Sequence, residues 1–302
     1  MDVAIRDAML AEVDARRVFE NLRGLGVAAV EIDVRQDLST QFVRRYDGTP
    51  YSVNDAAGTE ELKGRLSNDG VRVSALLIAT DFASDQAEAH VDWAVRAVHA
   101  AAELGAPVVR IDALARDKSL GAGEVLVAFN RHVYTVLQRT RGVPVDLGVE
   151  NHGPFANDPH FLDHVFAAAK DDPRLGLTLD TGNFYWFGHP LAEVYHLLQR
   201  YGSRTKHTHV KNINYPPELA ERSRPFGQDY AKYSCPLDEG DLDLKRVVGI
   251  LRTCGYDRDL CIEDEALGKY RPEERLGVLQ RDVNAVRGAI GTAHTAGTPG
   301  AA

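Results

Sequence analysis

Four residues whose side chains commonly bind divalent metals stand at comparable places in the chain, each near the end of a short apolar segment. They are Glu150, Asp180, His209 and Glu263. Any one of them alone would be equally typical of an ion pair. Together, three carboxylates would repel one another strongly, and a divalent cation would relieve that repulsion. Oxygen-rich ligands with one imidazole suit Mn²⁺, Mg²⁺ or Co²⁺ better than a structural zinc. The sequence therefore predicts one divalent metal ion, with Mn²⁺ expected first and Zn²⁺ as a further alternative.

A regular alternation of segments indicates how these residues could meet. Short apolar segments alternate with longer amphipathic ones, as is typical of βα units and a parallel sheet. The eight candidate strands lie near 3–7, 28–34, 71–79, 107–112, 145–151, 175–181, 205–211 and 259–264. Eight such units favour a closed (β/α)₈ TIM barrel over an open sheet. We expect one α/β domain over residues 1–290 and a disordered tail, rich in Gly, Ala and Thr, over residues 291–302.

Alternation within the strands predicts which side chains enter the barrel. Successive residues of a strand point to opposite faces, so Val149 and Glu150 take different sides. Apolar faces suit the helix layer, and the polar faces must then point inward, where charges need partners or a metal. His207 shares the face of His209 one pleat deeper, and we expect it to support the site instead of binding the metal. The polar interior is also predicted to include Arg6, Glu31, Arg110 and Asp112.

The bulk composition disfavours several classes of function. The chain has 302 residues and a formal net charge of −9, whereas proteins that bind a phosphate backbone carry a basic surface, so no nucleic-acid partner is expected. No apolar run of about 18 residues occurs, and no membrane association is predicted. Three cysteines without a CxxC pair, and an N-terminal segment without a signal peptide, predict reduced thiols and a cytoplasmic location.

Five short motifs carry a family resemblance. They are Glu150-Asn151-His152-Gly153, Leu179-Asp180-Thr181-Gly182-Asn183-Phe184, His207-Thr208-His209-Val210-Lys211, Glu239-Gly240-Asp241-Leu242-Asp243 and Ile262-Glu263. Over about residues 3–285 their order and spacing resemble the xylose isomerase-like TIM barrels and, more narrowly, the sugar phosphate isomerase/epimerase family. The resemblance implies the same four metal ligands, a small carbohydrate substrate and association into homo-oligomers.

The resemblance also implies a reaction that begins by removing a proton from the carbon next to a carbonyl. A metal can stabilise the enediolate that forms. In such isomerases and epimerases the two glutamate ligands, here Glu150 and Glu263, serve on opposite faces of the substrate. His152 is an alternative base, because it points inward and titrates near neutral pH. An equally good interpretation of His152 is that it orients a ligand.

Departures from the relatives keep other reactions open. Ketose 3-epimerases have a His three residues after the metal Asp and an Arg six residues after the metal His, where this chain has Asn183 and Tyr215. The AP endonucleases of this superfamily use extra His ligands where this chain has Thr80-Asp81, Asp112 and Asn183. The main alternative is a metal-dependent lyase or dehydratase acting on a keto-sugar, an inosose or a 3-oxo-glycoside. The non-enzymatic alternative is a sugar-binding barrel without turnover.

Four further residues are predicted to contact the substrate. They are Lys211, Asn183, Glu31 and Trp186. Lys211 would lie at the barrel mouth, where it could hold a substrate oxygen or form a surface ion pair. Trp186 could pack on the apolar face of a sugar ring, although packing within the helix layer is as good an interpretation.

Overall fold

Eight parallel strands close into a barrel in the computed structural model, which describes residues 1–169 and 172–295. The strands are β1 (Val3–Arg6), β2 (Ala29–Asp33), β3 (Ser39–Arg44), β4 (Pro50–Ser52), β5 (Arg72–Leu77), β6 (Val108–Ile111), β7 (Asp146–Glu150), β8 (Leu175–Asp180), β9 (Thr205–Val210), β10 (Asn212–Ile213), β11 (Ser234–Cys235) and β12 (Leu260–Ile262). The barrel order is β1-β12-β9-β8-β7-β6-β5-β2. Each barrel strand lies within a predicted range, and the predicted TIM-barrel fold is confirmed.

Helices follow the barrel strands and form the outer layer. They are α1 (Asp7–Asp14), α2 (Val18–Gly24), α3 (Ala56–Asp69), α4 (Ala87–Leu104), α5 (Ala122–Arg139), α6 (Gly153–Ala156), α7 (Pro159–Ala168), α8 (Asn183–Phe187), α9 (Leu191–Tyr201), α10 (Pro217–Ala220), α11 (Tyr230–Tyr233), α12 (Leu244–Thr253) and α13 (Pro272–Thr295). Within the described part of the chain, no helix has the length and apolarity that a membrane crossing requires. α13 extends past the predicted domain end at 290, and residues 296–302 of the predicted tail lie outside the described residues.

Two long segments that follow barrel strands contain secondary structure of their own. Residues 35–55 include β3 and β4, which pair as an antiparallel hairpin. Residues 212–242 include β10 and β11, which also pair, together with α10 and α11. Both segments follow barrel strands, so both lie on the C-terminal face, where active sites of such barrels are built. Their internal pairing leaves no clear pattern in the sequence, because very short strands carry little periodicity.

Successive residues of a barrel strand alternate between the hydrophobic core outside the barrel and the polar interior inside it. Val30 and Ile32 of β2 belong to the hydrophobic core between barrel and helices, whereas Glu31 between them contacts His207 and His209 of β9 inside the barrel. The register pairs Asp180 with His209 across β8 and β9, so these two side chains lie level. The predicted inward direction of the polar faces is therefore confirmed for these strands.

Candidate metal centre

The structure brings the four predicted ligands together at the C-terminal end of the barrel. Glu150 and Asp180 are the last residues of β7 and β8, His209 lies in β9, and Glu263 directly follows β12. Each offers a ligand atom, and these atoms all lie within 4.8 Å of one another. All four residues are buried. Such a cluster is costly unless cations or hydrogen bonds compensate its charge.

The hydrogen bonds of the cluster leave particular atoms free to bind a cation. Asp180 accepts at Oδ1 from the backbone N–H groups of Gly182 and Asn183, at 2.8 and 2.7 Å, beside the start of α8. In the described part of the chain, Asp180 Oδ2, Glu263 Oε2 and His209 Nδ1 are buried and have no hydrogen bond. His209 Nδ1 lies 3.2 Å from Glu263 Oε2. Unbonded buried oxygens with one imidazole nitrogen fit a divalent cation.

Three basic side chains surround the carboxylates. Arg110 forms an ion pair with Glu150, and Arg6 forms one with Glu263. Lys211 Nζ lies 3.1 Å from Asp180 Oδ2 and 3.3 Å from Glu263 Oε2. Although burial opposes it, the charges of Lys211, His209 and Arg6 hold the pKa of Glu263 well below its usual range. Glu263 is therefore a carboxylate at neutral pH, which ligation and proton removal both require.

Among the three carboxylate ligands, Asp180 is the one whose pKa is raised. Burial raises its pKa to about 7, with a further contribution from the charges of Glu263 and Glu150, despite the opposing charge of Lys211. A cation placed among these oxygens would favour the charged form of Asp180. A divalent ion would therefore reduce the repulsion among these ligand oxygens.

His209 is oriented from below by a carboxylate. Glu31 Oε2 lies 2.8 Å from His209 Nε2, and Glu31 Oε1 lies 3.3 Å from His207 Nε2. Although burial opposes it, His209 and His207 hold the pKa of Glu31 well below its usual range. With a metal bound, a carboxylate there would favour the imidazole with its proton on Nε2, whose Nδ1 lone pair faces Glu263 and Glu150. His207 lies deeper in the barrel and contacts Glu31, which agrees with its predicted role in supporting the site.

A second acid–base pair stands beside the cluster. His152 Nδ1 lies 3.0 Å from Asp112 Oδ1, and Asp112 also forms an ion pair with Arg110. The His152 side chain is 35% exposed, in contrast to the buried ligands. Burial opposes it, but Asp112 and Glu150 raise the pKa of His152. The imidazole is therefore held by Nδ1 while its ring borders open space.

A cavity of about 580 Å³ opens above these groups. Its lining includes Glu150, Glu263, His152 and Lys211, and it extends toward the segments that follow β2, β5 and β6. A volume of this order accommodates a small organic molecule. The three predicted catalytic residues and Lys211 therefore share one space, and Asp180 and His209 adjoin it through their cluster with Glu150 and Glu263.

The other predicted substrate contacts do not line this cavity. Asn183 turns back and donates from Nδ2 to Glu150 Oε1 at 2.9 Å. Glu31 is buried beneath His209, where it cannot reach a substrate. The Trp186 ring lies 5.9 Å from that of His152 and 4.5 Å from that of Phe226. The geometry indicates that Asn183 and Glu31 hold the side chains of Glu150 and His209 and do not contact the substrate, because their polar atoms are already hydrogen-bonded to these two residues.

Several residues at the cavity were not anticipated. Asp112 and His152 follow two different strands, and no local sequence pattern predicts their contact. His90, Trp93 and Arg116 also line the cavity. His90 and Trp93 lie in α4, within a run of Ala and Val that reads as an ordinary amphipathic helix. A polar residue on the apolar side of that helix was the available signal.

Comparisons with known proteins agree with this architecture. The chain matches the family model of the xylose isomerase-like TIM barrel over residues 19–282. Comparison with curated proteins by sequence gives no significant match. Among solved structures, an IOLI protein with a bound zinc atom is 14% identical and has a TM-score of 0.70, covering 99% of this chain and 100% of its own. A xylose isomerase-like TIM barrel protein from Mycobacterium smegmatis, in complex with magnesium, is 16% identical with a TM-score of 0.68 and 97% coverage of both chains.

A third similar structure is that of an L-ribulose 3-epimerase, 15% identical with a TM-score of 0.67 and 100% coverage of both chains. At these identities the structural matches establish the fold alone. The family model spans most of the chain, including the segments that carry all four clustered residues. On the fold and this match, the chain belongs to the xylose isomerase-like TIM barrel family.

Proposed function

We propose that this protein is a divalent-metal-dependent isomerase or epimerase of a small carbohydrate. The observation that carries the proposal is the buried cluster of Glu150, Asp180, His209 and Glu263, whose two glutamates line an open cavity. Support comes from the L-ribulose 3-epimerase of similar fold. The zinc and magnesium of the other two similar structures support a metal here without deciding which one.

The four clustered side chains would hold the metal through Asp180 Oδ2, His209 Nδ1 and one oxygen of each glutamate. When bound, the metal would polarise a carbonyl and a neighbouring hydroxyl of the substrate and stabilise the enediolate charge. Mn²⁺ or Mg²⁺ suits a set dominated by carboxylate oxygens. Lys211 Nζ, at the cavity wall, would donate a hydrogen bond to a substrate oxygen.

The two glutamates differ in how firmly they are held. Both oxygens of Glu150 are engaged, one by Arg110 and the other by Asn183. Glu263 is held by Arg6 at Oε1, whereas Oε2 accepts no hydrogen bond from the described residues and lies 3.3 Å from Lys211 Nζ. Glu263 is therefore the better base for removing a proton from the carbon beside the carbonyl. Glu263 would keep that proton, and Glu150 or His152 would deliver a separate proton to the other face in an epimerisation, whereas in an isomerisation Glu263 would pass its proton to the neighbouring carbon.

A lyase or dehydratase reaction is the second candidate, and the His152–Asp112 pair favours it. An elimination needs an acid to protonate the departing oxygen after the first proton has been removed. His152, held at Nδ1 by Asp112 and partly exposed to the cavity, is suited to that task. The keto-sugar, inosose or 3-oxo-glycoside substrates of this alternative would give an unsaturated product, which mass spectrometry distinguishes from an isomer. An AP endonuclease or a purely sugar-binding barrel has no comparable support.

The proposal is tested by incubating the metal-loaded protein with a panel of keto sugars in D₂O. We expect deuterium to enter the carbon beside the carbonyl, because the removed proton exchanges with solvent. Glu263→Gln should abolish exchange while substrate still binds, since the amide keeps the shape but cannot accept the proton. Glu103→Gln on the exposed face of α4 makes the same chemical change and should exchange like the wild type.

Three results would contradict the proposal in different ways. Turnover of a keto sugar without solvent deuterium at that carbon would indicate a hydride shift instead of proton transfer. A thermal shift with a sugar, but neither exchange nor product, would indicate a binding protein. If His152→Ala lost deuterium exchange and Glu263→Gln retained it, His152 would be identified as the base, and elimination would be favoured.

A further inference from the structure

The cavity has a second end whose chemistry differs from that of the metal centre. Near the metal centre its basic residues are matched by acids: Arg6 and Arg110 each form ion pairs with carboxylates. The far end is lined by Arg35 and Arg116, which are exposed and form no ion pair within the described part of the chain. Arg35 contacts Gln41, whose Oε1 accepts from Nε at 2.6 Å. Both guanidinium groups are thus free to bind an acceptor.

The acids nearest to these arginines are already engaged. Asp37, beside Arg35, accepts hydrogen bonds at Oδ1 from the N–H and hydroxyl of Ser39. Asp81 accepts from the backbone N–H groups of Ala83 and Arg116. These bonds hold the carboxylates in their own loops. Neither carboxylate forms an ion pair with Arg35 or Arg116 among the described residues, so both guanidinium groups can still bind an anion.

The inner wall of this end is also polar. His90 and Trp93 of α4 line the cavity and are each only 6% exposed. His90 Nδ1 and Trp93 Nε1 have no hydrogen-bond partner among the described residues. Burial lowers the pKa of His90, so its ring is neutral and carries a single N–H donor. Both nitrogens are themselves closed to solvent, so His90 and Trp93 form a polar wall beside the arginines and make no hydrogen bond to a ligand in the open cavity.

The first turn of α4 adds a further positive element. α4 has 18 residues, and its N-cap Gln86, which lines the cavity, makes no side-chain capping bond. The first N–H groups of a helix have no partner within it, and the helix dipole is positive at that end. Helix N-termini with nearby arginines bind carboxylates and phosphates.

We infer that the far end of the cavity binds an anionic substituent of the substrate, a carboxylate or a phosphate, through Arg35 and Arg116 beside the first turn of α4. The inference rests on the proposed function only in taking the cavity as the substrate site. It narrows the substrate class to keto sugars or keto sugar acids that carry a negative charge at a distance from the reacting carbonyl. The negative net charge of the chain makes such a local basic site informative, because a general attraction for anions is absent.

Anion binding can be measured without turnover. Inorganic phosphate and malonate would be titrated separately into the metal-containing protein by isothermal calorimetry. Arg35→Met and Arg116→Met should each weaken binding roughly tenfold or more, as expected for loss of a charged hydrogen bond. The matched control is Arg131→Met, which removes an equally exposed arginine of α5 from a place outside the cavity. The probe that binds more tightly identifies phosphate or carboxylate as the preferred group.

The outcomes separate this inference from the proposed function. Equal binding in all four proteins would overturn the inference, because the anion would then sit on the metal or elsewhere. Absence of binding by both probes at tens of millimolar would overturn it as well. Arginine-dependent binding without deuterium exchange of any keto sugar would keep the anion subsite and reject the proposed reaction. Deuterium exchange that is equally fast in keto sugars with and without a charged substituent would support the proposed reaction and reject the anion subsite.

Discussion

Replacing Glu31 tests whether a buried carboxylate outside the ligand set controls metal binding. Glu31 Oε2 lies 2.8 Å from His209 Nε2, and His209 Nδ1 lies 3.2 and 3.5 Å from oxygens of Glu263 and Glu150. In the metal-bound protein this carboxylate would thus keep the proton of His209 on Nε2 and the Nδ1 lone pair toward the cluster. Supporting partners of this kind change metal affinity about 10- to 100-fold, which corresponds to about 1.4–2.7 kcal/mol.

Two substitutions divide that effect into parts. In Glu31→Gln the amide oxygen can still accept from His209 Nε2, so only the negative charge near the cation is lost, and the affinity should fall toward the lower end of the range. In Glu31→Leu the acceptor is lost too, and His209 can protonate Nδ1 instead. We expect the larger loss there, near 100-fold.

The assay is a competition titration with a chromogenic chelator, using Mn²⁺ or Mg²⁺, with circular dichroism melting to confirm folding. His207→Gln is the matched control, because it alters the other side of Glu31 and leaves the contact with His209 in place. Wild-type metal affinity in both folded Glu31 variants would refute the argument that tautomer and charge at His209 govern the site. A loss in His207→Gln as large as in Glu31→Leu would show a general effect of disturbing the barrel interior.

Three further predictions concern metal, pH and chelation. His209→Ala should lose most metal affinity whereas His207→Ala should retain it, and the opposite ranking in a metal titration would contradict the register. Burial, and then the charge of Asp264, raise the pKa of Asp282 to about 8. The stability that Asp282 contributes is therefore complete only below the pKa it has in the unfolded chain, and it disappears as the pH rises toward 8. Melting temperatures between pH 5 and 8 should therefore fall less in Asp282→Asn than in the wild type, and an unchanged slope would refute this. EDTA should abolish exchange, and Mn²⁺ should restore it.

The barrel strands and the four clustered residues could be predicted from sequence for a common reason. Parallel strands covered by helices are short apolar runs, and a charged residue at an inward position of such a run is conspicuous. Glu150, Asp180 and Glu263 each follow a buried apolar residue, so the period of two assigns their face directly. The resemblance of the surrounding motifs then gave these positions a family context that the match over residues 19–282 confirms.

Side-chain partners across the barrel could not be predicted in the same way. Glu31 was expected at the substrate and Asn183 likewise, yet the first holds His209 and the second holds Glu150. Which of several inward polar residues reaches the cavity depends on barrel stagger, a property of all the strands together. A single strand carries no information about it.

The sequence by itself determined the order of the βα units, the inward face of each strand and the residue types able to hold a cation, because these follow from local periodicity and chemistry. Only the tertiary structure decided which charges pair. It joined Asp112 to His152, left Glu263 Oε2 without a hydrogen bond, and brought Arg35 and Arg116 to one end of the cavity. These contacts link residues far apart in the chain, and their distances follow from closure of the whole barrel.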